Sequence, residues 1–130
     1  MHIYSKELSV FETVTETGDS NGKLVPIYNE HDEFFKEASH SPKQVYMTTI
    51  NPAEMKGPHK HFIRQGCFCC LKGDVKIVLK VDNKYLEFFS GESYNYKLVV
   101  VPKGIPALIV NISEFEALML NMPDPAWTPD

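Results

Sequence analysis

The chain has 130 residues, enough for one hydrophobic core and too few for two, so a single domain spanning 1–130 is expected. Its 43% hydrophobic and 23% charged residues are those of an ordinary globular protein, and a net charge of −4 argues against a general nucleic-acid binder. No apolar run reaches membrane-spanning length and "MHIYSKELSV" lacks a signal-peptide pattern, so a cytoplasmic protein without membrane contact is expected.

In chain order, "GDSNGK" reads as the first turn, and "NEHDEFFKEA" is the only segment that reads as a helix, a short one. "INPAEMKGP" is a second turn. "CFCCL" then reads as a strand, joined by a hairpin at Lys72-Gly73-Asp74 to "DVKIVLKV". In that second strand Val75, Ile77, Leu79 and Val81 fall on one face, with Lys76 and Lys80 on the other. A turn at Asp82-Asn83 leads into "KYLEFF". "KLVVV", "ALIV" and "ALMLN" follow, each short and nearly continuously apolar, as buried strands are. Short strands at regular spacing between turns predict an all-β sandwich or small barrel of jelly-roll type. Cys67, Cys69 and Cys70 are odd in number and have no distant partner, so buried reduced thiols are expected. Strand alternation puts Cys67 and Cys69 on one face and Cys70 on the other.

The stretch "EMKGPHKHFIRQG", residues 54 to 66, carries the chemistry. His59 and His61 are two residues apart, so an extended strand projects both from one face, while Lys60 points away. A small barrel holds its ligand in its mouth, which is where such a pair would point. His2, His31 and His40 lie in polar or terminal segments and are expected at the surface.

These residues resemble the first motif of the cupins, glycine, His-x-His, an acidic residue and a closing glycine, through Gly57, His59, His61 and Gly73. "VPKGIPALIVN" is similar to the second cupin motif through Pro102, Gly104 and Asn111. Both departures fall on metal ligands. Ala107 stands where the second motif has histidine, and Gly66, next to Gln65, stands where the first has an acid. Two imidazoles alone make a poor metal site, so neither metal nor other cofactor is expected.

Among metal-free cupins the chain resembles the RmlC-like sugar-nucleotide group, the 3,5-epimerases and FdtA/QdtA-type 3,4-ketoisomerases. "KGPHKHF" is similar to the ketoisomerase Arg-Gly-x-His-Ala-His-Lys, "DSNGKLVPI" to Asp-x-Arg-Gly-x-Leu, and "QVYMTTINPAEMKG" to an Arg-x-Tyr-Tyr strand. The resemblance implies a cupin jelly roll (a double-stranded β-helix) and a homodimer. It implies a nucleotide-linked, dTDP-type 4-keto-6-deoxy sugar as substrate, with proton transfer as the reaction. By the same likeness His59 is the base and His61 shares the site. Lys56 and Arg64 would meet the diphosphate, with Gln65, Asn111 and Trp127 as further substrate contacts. No tyrosine occurs in "LMLNMPDPAWTPD", where the epimerases carry their acid, so Tyr46 takes that role, with Tyr94 and Tyr96 as substitutes. Asp124 would complete a His–Asp dyad. A single base favours single epimerisation or 3,4-ketoisomerisation over double epimerisation. The rival expectations are a sugar-nucleotide-binding cupin without turnover and a metal-dependent cupin dioxygenase.

Overall fold

The computed structural model describes residues 1–129. In chain order, the first part forms β1 (Ser5–Glu7), β2 (Phe11–Val14), β3 (Ser20–Leu24), α1 (Glu33–Glu37), β4 (Tyr46–Ile50) and β5 (Met55–His59). The second part forms β6 (Gly66–Lys72), β7 (Asp74–Val81), β8 (Lys84–Gly91), β9 (Lys97–Val101), β10 (Ala107–Asn111) and β11 (Ala117–Asn121). A five-stranded sheet runs in the order β1-β9-β6-β11-β4 and a four-stranded sheet in the order β5-β10-β7-β8, while β2 and β3 pair separately. Neighbouring strands are antiparallel throughout. This is the jelly-roll architecture that the short strands predict.

Alternation along the strands builds the interior. Val75, Ile77, Leu79 and Val81 of β7 face Ile50, Cys70, Val99, Val101 and Met119 of the other sheet, forming the central core. A second core lies on the outer face of the five-stranded sheet, where α1 and the N-terminal segment cover Cys67, Cys69, Leu98 and Val100 with Phe35, Ala38 and Leu8. The cysteines divide between the two cores as alternation requires. Their burial pushes the thiols up, to about 12 for Cys67 and Cys70 and about 11 for Cys69, so all three stay protonated at neutral pH.

Two local expectations are corrected. Lys72-Gly73-Asp74 is not a hairpin: β6 pairs with β9 and β11, whereas β7 pairs with β8 and β10, so the chain changes sheets at this point. Gly73 (φ +79°) makes the corner. The hairpin lies instead between β7 and β8, where Asp82 (φ 51°) and Asn83 (φ 63°) form the expected turn. His40 is the second correction. It is buried between strand ends, with Nε2 on the Met122 carbonyl at 2.6 Å and Nδ1 on the Gln65 amide at 2.8 Å. The helix forms where expected but is only five residues long, capped by the Asp32 carboxylate accepting from the Phe34 N–H.

Candidate active site

Both sheets contribute to one open cavity with about 150 Å³ of internal room. Its lower wall is apolar, from Ile50, Phe68, Val101, Ile105, Ala107 and Ile109. Tyr46, Thr48, Lys56, His59, His61, Arg64 and Asn121 supply the polar groups.

A backbone irregularity determines which residues of β5 reach this space. The ladder pairs Ala107 with His59 but Ile109 with Lys56, so β5 carries one residue more than β10 over that span. A bulge of this kind re-aims side chains, and here both His59 and Lys56 line the cavity although they are three residues apart. The bulge depends on Gly57. Its φ is +104°, and a Cβ there would sit 2.6 Å from the Ala107 carbonyl oxygen.

The imidazole rings of His59 and His61 lie 6.1 Å apart with planes inclined by 30°. His61 follows the end of β5, and its carbonyl accepts from the Gly104 N–H at 2.7 Å, which ties the histidine segment to the Pro102-to-Gly104 turn. Arg64 Nη2 donates to His61 Nδ1 at 3.4 Å, a partner that leaves the ring proton on Nε2. Burial holds the His61 pKa below its ordinary value, and the charges of Arg64 and His59 act in the same direction. All three influences favour the neutral ring. Tyr46 occupies an inward position of β4, and its hydroxyl accepts from Asn121 Nδ2 at 2.7 Å.

Five expected site residues thus share the cavity: Lys56, His59, His61, Arg64 and Tyr46. Four others lie outside its lining. Asn111 is buried, its amide donating to the carbonyls of Ile50 at 2.9 Å and Phe115 at 2.8 Å, so its polar groups serve the fold. Gln65 holds His40. Asp124 makes a backbone bridge to Gln65, and its carboxylate faces Lys43 at 3.7 Å, so it forms no dyad with either site histidine. Trp127 packs edge-on against Tyr46, centroids 6.3 Å apart, at an exposed rim. The substitutes for Tyr46 lie elsewhere: Tyr94 stacks on Phe89, and Tyr96 is buried in the second core. As expected, Lys60 turns away, over the Phe62 ring.

Thr48 and Asn121 are polar cavity residues that sequence reasoning missed. Alternation in "YMTTI" places Thr48 on the face of Tyr46, so that signal was available. Asn121 had no such signal, because the inward face of a doubly buried strand shows only in the register. Ala107 pairs directly with His59 and brings only a methyl group. Among the described residues no group of three or more His, Cys, Asp or Glu is arranged to hold a metal ion.

The family model described as "FdtA: WxcM-like, C-terminal" matches residues 7–130. The chain belongs to this family. No curated protein matches the sequence. Several solved structures share the fold of this FdtA family member at low identity. The dTDP-4-dehydrorhamnose 3,5-epimerase from Elizabethkingia anophelis NUHP1 is 21% identical with a TM-score of 0.74, covering 97% of this chain and 70% of that one. QdtA, a sugar 3,4-ketoisomerase from Thermoanaerobacterium thermosaccharolyticum solved in complex with TDP, is 17% identical with a TM-score of 0.68, covering 96% of this chain and 83% of that one. The capsular polysaccharide assembling protein CapF from Staphylococcus aureus is 20% identical with a TM-score of 0.61 over 68% of this chain. This chain spans only 27% of CapF.

Proposed function

We propose that the chain is a sugar-nucleotide isomerase or epimerase that acts on a nucleotide-linked, dTDP-type 4-keto-6-deoxy sugar by proton transfer. The observation that carries this reading is the imidazole pair of His59 and His61 in one cavity with the Tyr46 hydroxyl. The names of the structural neighbours support it, since they include a dTDP-sugar 3,5-epimerase and a sugar 3,4-ketoisomerase complexed with TDP.

The ketone acidifies the hydrogen on the adjacent ring carbon. His59 takes that proton, the C–H electron pair forms a C=C bond, and the carbonyl pair moves onto oxygen as an enolate. Tyr46 donates a hydrogen bond to that oxygen. Returning the proton to the same carbon from the other side gives an epimer. Moving the hydroxyl proton of the adjacent carbon and reprotonating the old carbonyl carbon shifts the ketone by one position. Lys56 and Arg64 meet the diphosphate, and the apolar wall takes the deoxy carbon. With Asp124 turned to Lys43, one base on one face fits 3,4-ketoisomerisation, whereas single epimerisation also needs a proton donor on the opposite face of the ring. The protein works as a cytoplasmic homodimer in this reading, because β1, β4, β5 and β8 end their sheets and an exposed edge calls for cover.

One observation favours a second reading, binding without turnover: the Asp124 carboxylate, expected to pair with the base, faces Lys43 at 3.7 Å. Incubation with dTDP-4-keto-6-deoxyglucose separates the two. A 3-keto isomer or a C3 epimer in the NMR spectrum of the product is the expected result. Saturable nucleotide binding with the sugar unchanged would leave the binding module as the better account.

A further inference from the structure

We infer that Asn121 is a positioning residue that sets the polarity of the Tyr46 hydroxyl and turns its O–H into the cavity. The inference rests on the proton-transfer reading for its kinetic consequence, but not for its geometry. Asn121 is 2% exposed and lies directly opposite Tyr46 in the ladder between β4 and β11. An amide's oxygen and nitrogen look alike, so its orientation has to come from its partners. Here a backbone N–H decides it. Cys67 N donates at 2.9 Å to Asn121 Oδ1, and a backbone N–H can only donate. The other terminal atom is therefore Nδ2, and it donates to the Tyr46 oxygen at 2.7 Å.

A phenolic oxygen has one hydrogen to give. With Asn121 on its lone pair and no other described group hydrogen-bonded to it, that hydrogen is left for the cavity that both residues line. Trp127 packs edge-on against the ring. The hydroxyl thus stands as a donor before any ligand arrives, ready for the oxygen on which enolate charge develops. If the proton crosses to that oxygen, an enol and a phenolate result, and the Asn121 N–H remains on the phenolate. A buried asparagine at the end of β11 thereby presents Tyr46 to the cavity as a donor.

The test reverses that hydrogen bond. Asn121→Asp keeps an oxygen for the Cys67 N–H but puts a second acceptor against Tyr46, which draws the hydroxyl hydrogen away from the cavity. The expected result is about a 10²-fold loss of kcat with KM little changed, similar to Tyr46→Phe. The double variant should lose nothing further, since both changes remove one donor. A loss from Asn121→Asp that persists in full in the Tyr46→Phe background would overturn the inference. Because a buried carboxylate can unfold the chain, a second measurement uses only wild type and Tyr46→Phe, without substrate. The Asn121 side-chain N–H signal should move upfield in the NMR spectrum of Tyr46→Phe as its acceptor disappears. A signal that stays in place would overturn the assignment. A wild type that leaves 4-keto sugars untouched would sink the proposed reaction, yet the amide signal would still decide the hydrogen bond.

Discussion

The influences that favour the neutral imidazole of His61 can be separated residue by residue. Burial comes first, then Arg64, then His59, and all three disfavour the charged form. The sign follows from the direction of the shift. The folded pKa lies below the unfolded one, so the neutral ring's contribution to stability is complete above about pH 6.5 and fades as pH falls through the folded value. An NMR titration of His61 should give a midpoint below about 6.5, and Arg64→Gln should raise it part of the way back. A midpoint that Arg64→Gln lowers or leaves alone would show that the guanidinium does not act on the ring. Residue types made half of this site legible in the sequence. Two imidazoles at i and i+2 flanked by Lys56 and Arg64 announce themselves, and all four line the cavity. Asp124, Gln65, Asn111 and Trp127 were placed by analogy of position, and each has a local partner. Lys43 faces the first, His40 holds the second, main-chain carbonyls engage the third, and Tyr46 lies against the fourth.

At the scale of elements, β7 was the most legible, because a strict period of two buries one face and wets the other. The sheet change at Gly73 was not. A two-residue turn signal says that the chain reverses but not whether the next strand joins the same sheet, and that depends on the strands it meets across the molecule. The bulge in β5 was equally invisible, since an extra residue shows only against its partner. Asn111 shows what holds such junctions. Its amide spans the end of β4 and the loop after β10, reaching the Ile50 and Phe115 carbonyls while its oxygen accepts from the Ser113 N–H at 2.7 Å. Asn111→Ala leaves those groups unpartnered in a buried place. It should cost about 1–3 kcal/mol in denaturant unfolding, with ligand binding retained by the folded fraction. Unchanged stability with lost binding would instead make Asn111 a ligand contact.

Across the whole molecule, two apolar cores flank the five-stranded sheet, and the cavity opens between that sheet and its four-stranded partner. No helix among the described residues is long and apolar enough to cross a membrane. The layered fold was legible because many short buried strands have few other ways to hide their faces. The cavity was legible only through the histidine motif, since its apolar wall is built from residues that look like ordinary core. In the proposed reaction this cavity moves a proton on a keto sugar, and His59 takes it. The direct measurement is solvent exchange: dTDP-4-keto-6-deoxyglucose in D₂O, followed by proton NMR with wild type and with His59→Ala. Deuterium should enter at a ring carbon next to the ketone with wild type, and that exchange should fall by about 10²- to 10⁴-fold in the variant. Exchange at the wild-type rate in His59→Ala, or every ring proton retained by wild type with the nucleotide sugar bound, would contradict it.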